Sequence, residues 1–161
     1  MEAQLETVLD QDAAQVVEGP VAGQYVNFVC DGRSYAVDIM QVREIRSWSP
    51  VTALPDQPHG ACGVLDIRGE VVQVYDLSQL MGGPAIEMSD GHVVLVLALP
   101  NQTIGILVDG VSDIIEVGES DIRKPPPGRT NGTGMVQGVV KREEELVAIL
   151  ELQPVFDRMA A

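Results

Sequence analysis

Residues 63–77 read GVLDIRGEVVQVYDL: two apolar runs meeting at Arg68-Gly69. Short runs rich in Val, Ile and Leu, broken by a glycine-bearing pair, are the pattern of a β-hairpin, since glycine reaches positive φ without a Cβ clash. Gly69 therefore has a local task at the bend. The bend does not require Arg68. Its five-donor guanidinium either grips a carboxylate of its own chain, with Asp66, Glu44 and Glu70 as candidates, or is offered to a partner.

The same pattern recurs on both sides. Upstream, QYVNFVC and RSYAVDI flank Asp31-Gly32, and Tyr35, Val37 and Ile39 alternate with Ser34, Ala36 and Asp38, as in a hairpin with one buried face. QVREI and SWSPVTALPDQP then read as an irregular link. Downstream, SQLMGG reads as a short helical turn stopped by paired glycines. HVVLVLAL and QTIGILVDGVSDII form a third hairpin around Pro100-Asn101. MVQGVVKREEELVAILEL forms a fourth and runs into the helix candidate QPVFDRM. Hairpin, link, hairpin, helix thus occurs twice, as a repeat of pattern without residue identity.

This pattern is all-β. The wholly apolar VVLVLAL predicts a strand covered on both faces, as between two packed sheets or two small barrels sharing a core. RKPPPGRTNGTG, residues 123–134, cannot supply a regular strand and is expected as a long surface loop.

The chain has 161 residues, 45% of them apolar, enough for one unit or two small subdomains with a common core. Its 10 basic residues face 24 acidic ones, for a net charge of -14, which argues against nucleic acid or anionic lipid as the main partner. Residues 1–22 carry Glu2, Glu6, Asp10, Asp12 and Glu18 and no basic residue, and read as an acidic tail with Leu5, Val8 and Leu9 at helical spacing. The remaining body keeps 19 acidic residues against 10 basic ones, so the acidity is not confined to the tail. There is no secretory pattern at the N-terminus, and VVLVLAL is far shorter than the roughly 20 residues of a membrane helix, so a soluble cytoplasmic protein without membrane insertion is expected.

A search for chemistry finds little. Cys30 and Cys62 form no Cys-x-x-Cys pair and have no His at ligand spacing, so buried reduced thiols are expected rather than a metal or redox site. Asp31, Asp90 and Asp109 each precede Gly, but without the Thr or Ser of an aspartic-protease loop they read as turns. GRTNGTG lacks the Lys-Ser/Thr ending of a phosphate loop. His59 and His92 have no local triad, and Glu143-Glu144-Glu145 reads as a solvated hairpin tip balanced by Lys141 and Arg142.

The opening stretch resembles the Asn-Leu-Arg-Gly signature of the CheW family, the chemotaxis coupling proteins. VDIMQVREIR at 37–46 and IGILVDGVSDII at 104–115 are similar to further stretches of that family, in order, and the likeness runs from about Gly23 to Asp157. The resemblance implies two small five-stranded SH3-like barrels packed around a shared hydrophobic core, with short helices. It also implies no catalysis and no cofactor or metal. Residues 1–22 would form a flexible acidic tail, 23–157 the CheW-like domain with its two barrel subdomains, and 158–161 a short C-terminal tail.

The implied role is a scaffold linking the cytoplasmic tips of methyl-accepting chemoreceptors to the regulatory domain of the histidine kinase CheA, recruited to membrane-associated arrays. Carried over by position, a kinase-facing surface on the first barrel takes in Ile39, Val42 and Glu44, and a receptor groove between the barrels takes in Arg68, Val93, Val111 and Ile114. Physically, an aliphatic groove accepts the apolar stripe of a helical hairpin while a nearby Arg fixes its register. For the valines, plain core packing is the competing reading. Two departures fall at Asp66, where the motif has Asn, and Gln73, where Pro is usual; Asp66 adds a charge two residues from Arg68, placed to hold it within the chain.

Three alternatives compete with a stand-alone adaptor: a piece of a CheA regulatory region, a CheW-like module of another two-component complex, and a hydrolase using Asp and His. The initial Met with its acidic segment favours the stand-alone protein. Nothing here has the alternating strands and helices of a fused receiver domain.

Overall fold

The computed structural model describes residues 22–125 and 135–160. The acidic segment at 1–21 and residues 126–134 of the expected surface loop lie outside the described residues. All four hairpins are present. Strands β1 (Gly23–Cys30) and β2 (Arg33–Asp38) turn at Asp31 and Gly32, and β4 (Ala61–Ile67) and β5 (Glu70–Asp76) turn at Arg68 and Gly69. Both turns have two consecutive residues at positive φ, 52° and 75° in the first and 56° and 87° in the second, the backbone that suits the right-handed twist of paired strands. β6 (Val93–Leu99) pairs with β7 (Gln102–Val108), and β10 (Val136–Arg142) with β11 (Glu145–Leu150).

Two stretches depart from the sequence reading. The link containing QVREI holds a strand, β3 (Val42–Ser47), antiparallel to β6. QTIGILVDGVSDII is not one hairpin arm: it breaks at Asp109, so that β7 ends at Val108 and β8 (Gly110–Val117) crosses to pair with β1. Short helices follow β5 and β11: α1 (Leu77–Leu80), capped by the Asp76 carboxylate accepting from the Gln79 amide, and α2 (Gln153–Ala160). A two-residue strand β9 (Ile122–Arg123) borders β10.

The strands form two sheets, ordered β8-β1-β2-β11-β10-β9 and β3-β6-β7-β5-β4. In each, a hairpin from one half of the chain is joined to a hairpin from the other half by a parallel pair, β2 with β11 and β5 with β7. The edge strands β3 and β8 cross over in the same sense. The doubled pattern in the sequence is therefore real at the level of topology, and each barrel is assembled from both repeats.

Three apolar clusters result. Tyr25, Ala36, Ile115, Val140, Val147 and Ile149 fill the six-stranded barrel, and Leu65, Ile67, Val72, Val94, Val96 and Leu107 fill the five-stranded one. The largest cluster lies between them, with Phe28, Val37, Leu95, Leu97, Ile104, Ile106 and Phe156 among its members. Strand β6 shows the period-two logic: Val94 and Val96 enter one barrel while Leu95, Leu97 and Leu99 enter the shared core. The same holds for β2. Ser34, Tyr35, Ala36 and Val37 are all buried, so this strand has two buried faces where the sequence predicts one, and Ile39 leaves it for a 3-10 turn over Ile39–Gln41.

Candidate functional site

Arg68 sits at φ 56°, a left-handed backbone that an L side chain adopts at a cost of about 1 kcal/mol. The Asp66 carboxylate holds the bend, its Oδ1 accepting from the Gly69 amide at 2.8 Å. Asp66 thus does for the turn what an Asn does at that place, and it does not tie down the guanidinium. Arg68 reaches instead to Glu44 on β3, Nη2 to Oε1 at 3.5 Å, with its own side chain 79% exposed. Glu44 is more enclosed and its Oε2 also accepts from Arg46 at 3.2 Å.

One residue before Glu44 and two after Arg68, Arg43 contacts Glu70 at 3.2 Å and donates to the Thr103 hydroxyl at 3.2 Å. Two ion pairs therefore bind edge strand β3 to the β4–β5 bend, the opposite edge of the same sheet, and so close the five-stranded barrel. Around this seam three large apolar side chains face water: Met40 at 85%, Val71 at 68% and Ile45 at 49%. The sequence reading did not single them out. Along VREIRS it is the burial that alternates, with Val42, Glu44 and Arg46 on the more enclosed side and Arg43, Ile45 and Ser47 on the open one, an order its letters do not show.

The carried-over residues do not form two separate sets. Val42 and Glu44 lie on β3, in the five-stranded sheet, and Ile39 in the turn before it; Ile39 and Val42 are half-buried against the shared core. Glu44 touches Arg68, so a residue assigned to the kinase and one assigned to the receptor meet in one ion pair. Val93 and Val111 are half-buried at the margin of the shared core, Val93 opposite Val108 and Val111 opposite Phe28. Ile114 is exposed on β8.

The backbone of Arg68 is distant from Val93. Gln73 is level with Ile104 and Val93 with Val108, which puts the bend and Val93 at opposite ends of the sheet, roughly 20 Å apart at the rise of a β-strand. The bend's backbone is thus set apart from Val93 along the sheet, while the Arg68 side chain reaches Glu44, which pairs with Val96, three residues from Val93.

Gln73, at the second departure, donates its amide to Gln57 at 2.6 Å and to the Gly63 carbonyl at 2.9 Å, fastening the Pro-bearing link to the hairpin. Asp109 accepts from the Asp31 amide at 2.9 Å and lies 3.5 Å from His92, which binds the β7–β8 crossing to the β1–β2 turn. Cys30 and Cys62 are free, and burial pushes their thiols up to about 12 and about 11, aided by the charge of Asp109 and then Asp76 on Cys30 and of Asp76 on Cys62. Arg142 pairs with Asp113 at 3.4 Å rather than with the Glu143–Glu145 run. Among the described residues no group of three His, Cys, Asp or Glu is placed to hold a metal, and no helix is long and apolar enough to cross a membrane.

Residues 24–160 match the CheW-like domain family. The chain is 34% identical to the chemotaxis protein CheW of Rhizobium meliloti over 83% of its own length and 86% of that protein's. It is 32% identical to the chemotaxis protein CheW of Bacillus subtilis, over 81% and 85%. The scaffolding protein TtCheW from Thermoanaerobacter tengcongensis is similar in structure, with a TM-score of 0.76 at 27% identity, covering 87% of this chain and 91% of that one. With two barrels about a common core and a match over nearly all of the described chain, this protein belongs to the CheW-like family and is a chemotaxis coupling adaptor.

Proposed function

We propose that this chain joins methyl-accepting chemoreceptors to the regulatory domain of a CheA-type histidine kinase and passes receptor state to the kinase without catalysing a reaction itself. The functional unit is residues 23–157, with an acidic segment at 1–22 before it and a short end at 158–161 after it. It works in the cytoplasm, at receptor arrays. Ile39, Val42 and Glu44 contact the kinase, and Arg68, Val93, Val111 and Ile114 contact the receptor.

The supporting observation is the seam where Glu44 meets Arg68. Exposed Met40, Ile45 and Val71 surround a charged pair on an edge strand, which is the composition of a docking face: apolar area for affinity, and a guanidinium and a carboxylate for register. Because the two charges touch, a partner that draws Arg68 away leaves Glu44 with Arg46 alone, and this changes what the kinase side meets.

The test is a double-mutant cycle on Glu44→Gln and Arg68→Gln, titrating the kinase regulatory domain and a receptor cytoplasmic fragment separately and together. The coupling reading expects non-additive losses in the ternary assembly, about 0.5–3 kcal/mol for contacting residues. Unchanged binding of both partners in both single variants overturns the site assignment.

A further inference from the structure

Four described basic side chains, Arg43, Arg46, Arg68 and Arg142, are in ion pairs. The other four described ones, Arg33, Arg123, Lys124 and Lys141, are in none among the described residues, and all four line one surface of the six-stranded barrel. There two adjoining clefts share Val139 and Leu146 in their walls, and the larger, about 530 Å³, is lined further by Tyr35, Met81, Val136 and Ala148. Leu146 is 64% exposed. Against the four cations the described lining holds one carboxylate, Glu145, whose oxygen already takes the Ser34 hydroxyl. In a chain of net charge -14 this is an apolar trough with a cationic rim, and none of the seven residues assigned to kinase or receptor lines it.

We infer that the occupant of this trough is the chain's own N-terminal segment, with Leu5, Val8 and Leu9 seated on Val139 and Leu146 and the carboxylates of Glu2, Glu6, Asp10 and Asp12 against the basic rim. Charge selects it. Residues 1–21 carry five acidic residues and no basic ones, whereas 126–134, the nearer undescribed segment, carries Arg129 and no acid. Reach allows it. The described chain begins at Ala22, and the trough lies beside Arg33 at the far end of the first hairpin, about 25 Å along the strand from Gly23. The dozen residues between Leu9 and Ala22 extend to about 40 Å. Tethering gives the segment a millimolar effective concentration, so modest contacts suffice to hold it, and salt screening weakens the charged part.

The experiment uses the full-length chain with methyl-labelled Leu and Val, read by nuclear Overhauser contacts. At low salt, cross-peaks are expected from Leu5, Val8 and Leu9 to Val139 and Leu146. They are lost in Lys124→Glu/Lys141→Glu and return when Glu6→Lys/Asp10→Lys is added to that variant. Unchanged methyl shifts at buried Leu95 and Val96 verify that each variant is folded. Absence of the cross-peaks in the folded wild-type chain overturns the inference. So does their appearance only between differently labelled copies, which makes a second molecule the occupant, or contacts of Leu146 to residues 126–134 instead.

Discussion

Arg68 occupies a backbone conformation that glycine prefers, and its largely exposed guanidinium makes one 3.5 Å contact with Glu44, so little of the fold depends on it. A surface pair of this kind contributes about 0–1 kcal/mol. Arg68→Ala is therefore expected to melt within a few degrees of wild type while losing receptor-dependent control of the kinase, measured by phosphorylation in a reconstituted array; an unfolded variant contradicts this. Val93 has an intermediate position, packed on the shared core yet partly open to water. Val93→Asp can turn its charge outward and should stay folded, with stability lowered by about 1–3 kcal/mol. Its neighbour Val94 points into the five-stranded barrel, and Val94→Asp should not fold. Thermal melts of the two, side by side, test the assignment of faces on β6. The sequence reading, by comparison, left Val93 and Val111 open between groove and core, because letters in an all-apolar run do not say where a strand emerges from its cover.

At the scale of elements, Gly105 shows why β7 can lie in the middle of its sheet. A Cβ there would stand 3.0 Å from a Val94 methyl and 3.3 Å from a Val74 methyl, so the absence of a side chain makes room for both neighbours. Gly105→Ala is expected to cost about 1–3 kcal/mol by overpacking, read as a lower denaturant midpoint at an unchanged slope. Hairpins were legible because their signals are local: Asp31-Gly32 and Arg68-Gly69 announce their turns within two letters. β3 and the break at Asp109 were not, since what makes VREIRS a strand is Leu95 and Val96 of β6, some fifty residues away, and what ends β7 is the pull of β1 on Val111 and Ile115. The acidic motif at Asp109 looked like a simple turn but ties the crossing to Asp31, a contact no spacing rule predicts.

For the whole molecule, the exchange of strands between halves makes the two barrels one cooperative unit. Residues 1–91 and 92–161, produced separately, should each be unfolded by circular dichroism, and mixing them should restore strand signal; a folded single half would contradict the shared assembly. Stability should also decline in alkali. Cys30 and Cys62 keep their protons up to about 12 and about 11 in the fold, against 9.0 for an ordinary thiol, and burial likewise raises Tyr35 and Tyr75. The unfolded chain releases these protons first, so the stabilisation is complete below pH 9.0 and is lost as pH rises from there toward the folded values, a loss that Cys30→Ala should reduce in pH-dependent denaturant melts. The parallel pairing of β2 with β11 has a further consequence, in time. β2 ends at Asp38 and β11 begins at Glu145, so at a synthesis rate of about 5–20 residues per second the first hairpin waits about 5–20 s for its neighbour to leave the ribosome. Throughout that interval Phe28, Tyr35 and Val37 lack the part of the shared core that Leu150, Leu152 and Phe156 supply, and the yield of this protein in a cell depends on what holds them until translation ends.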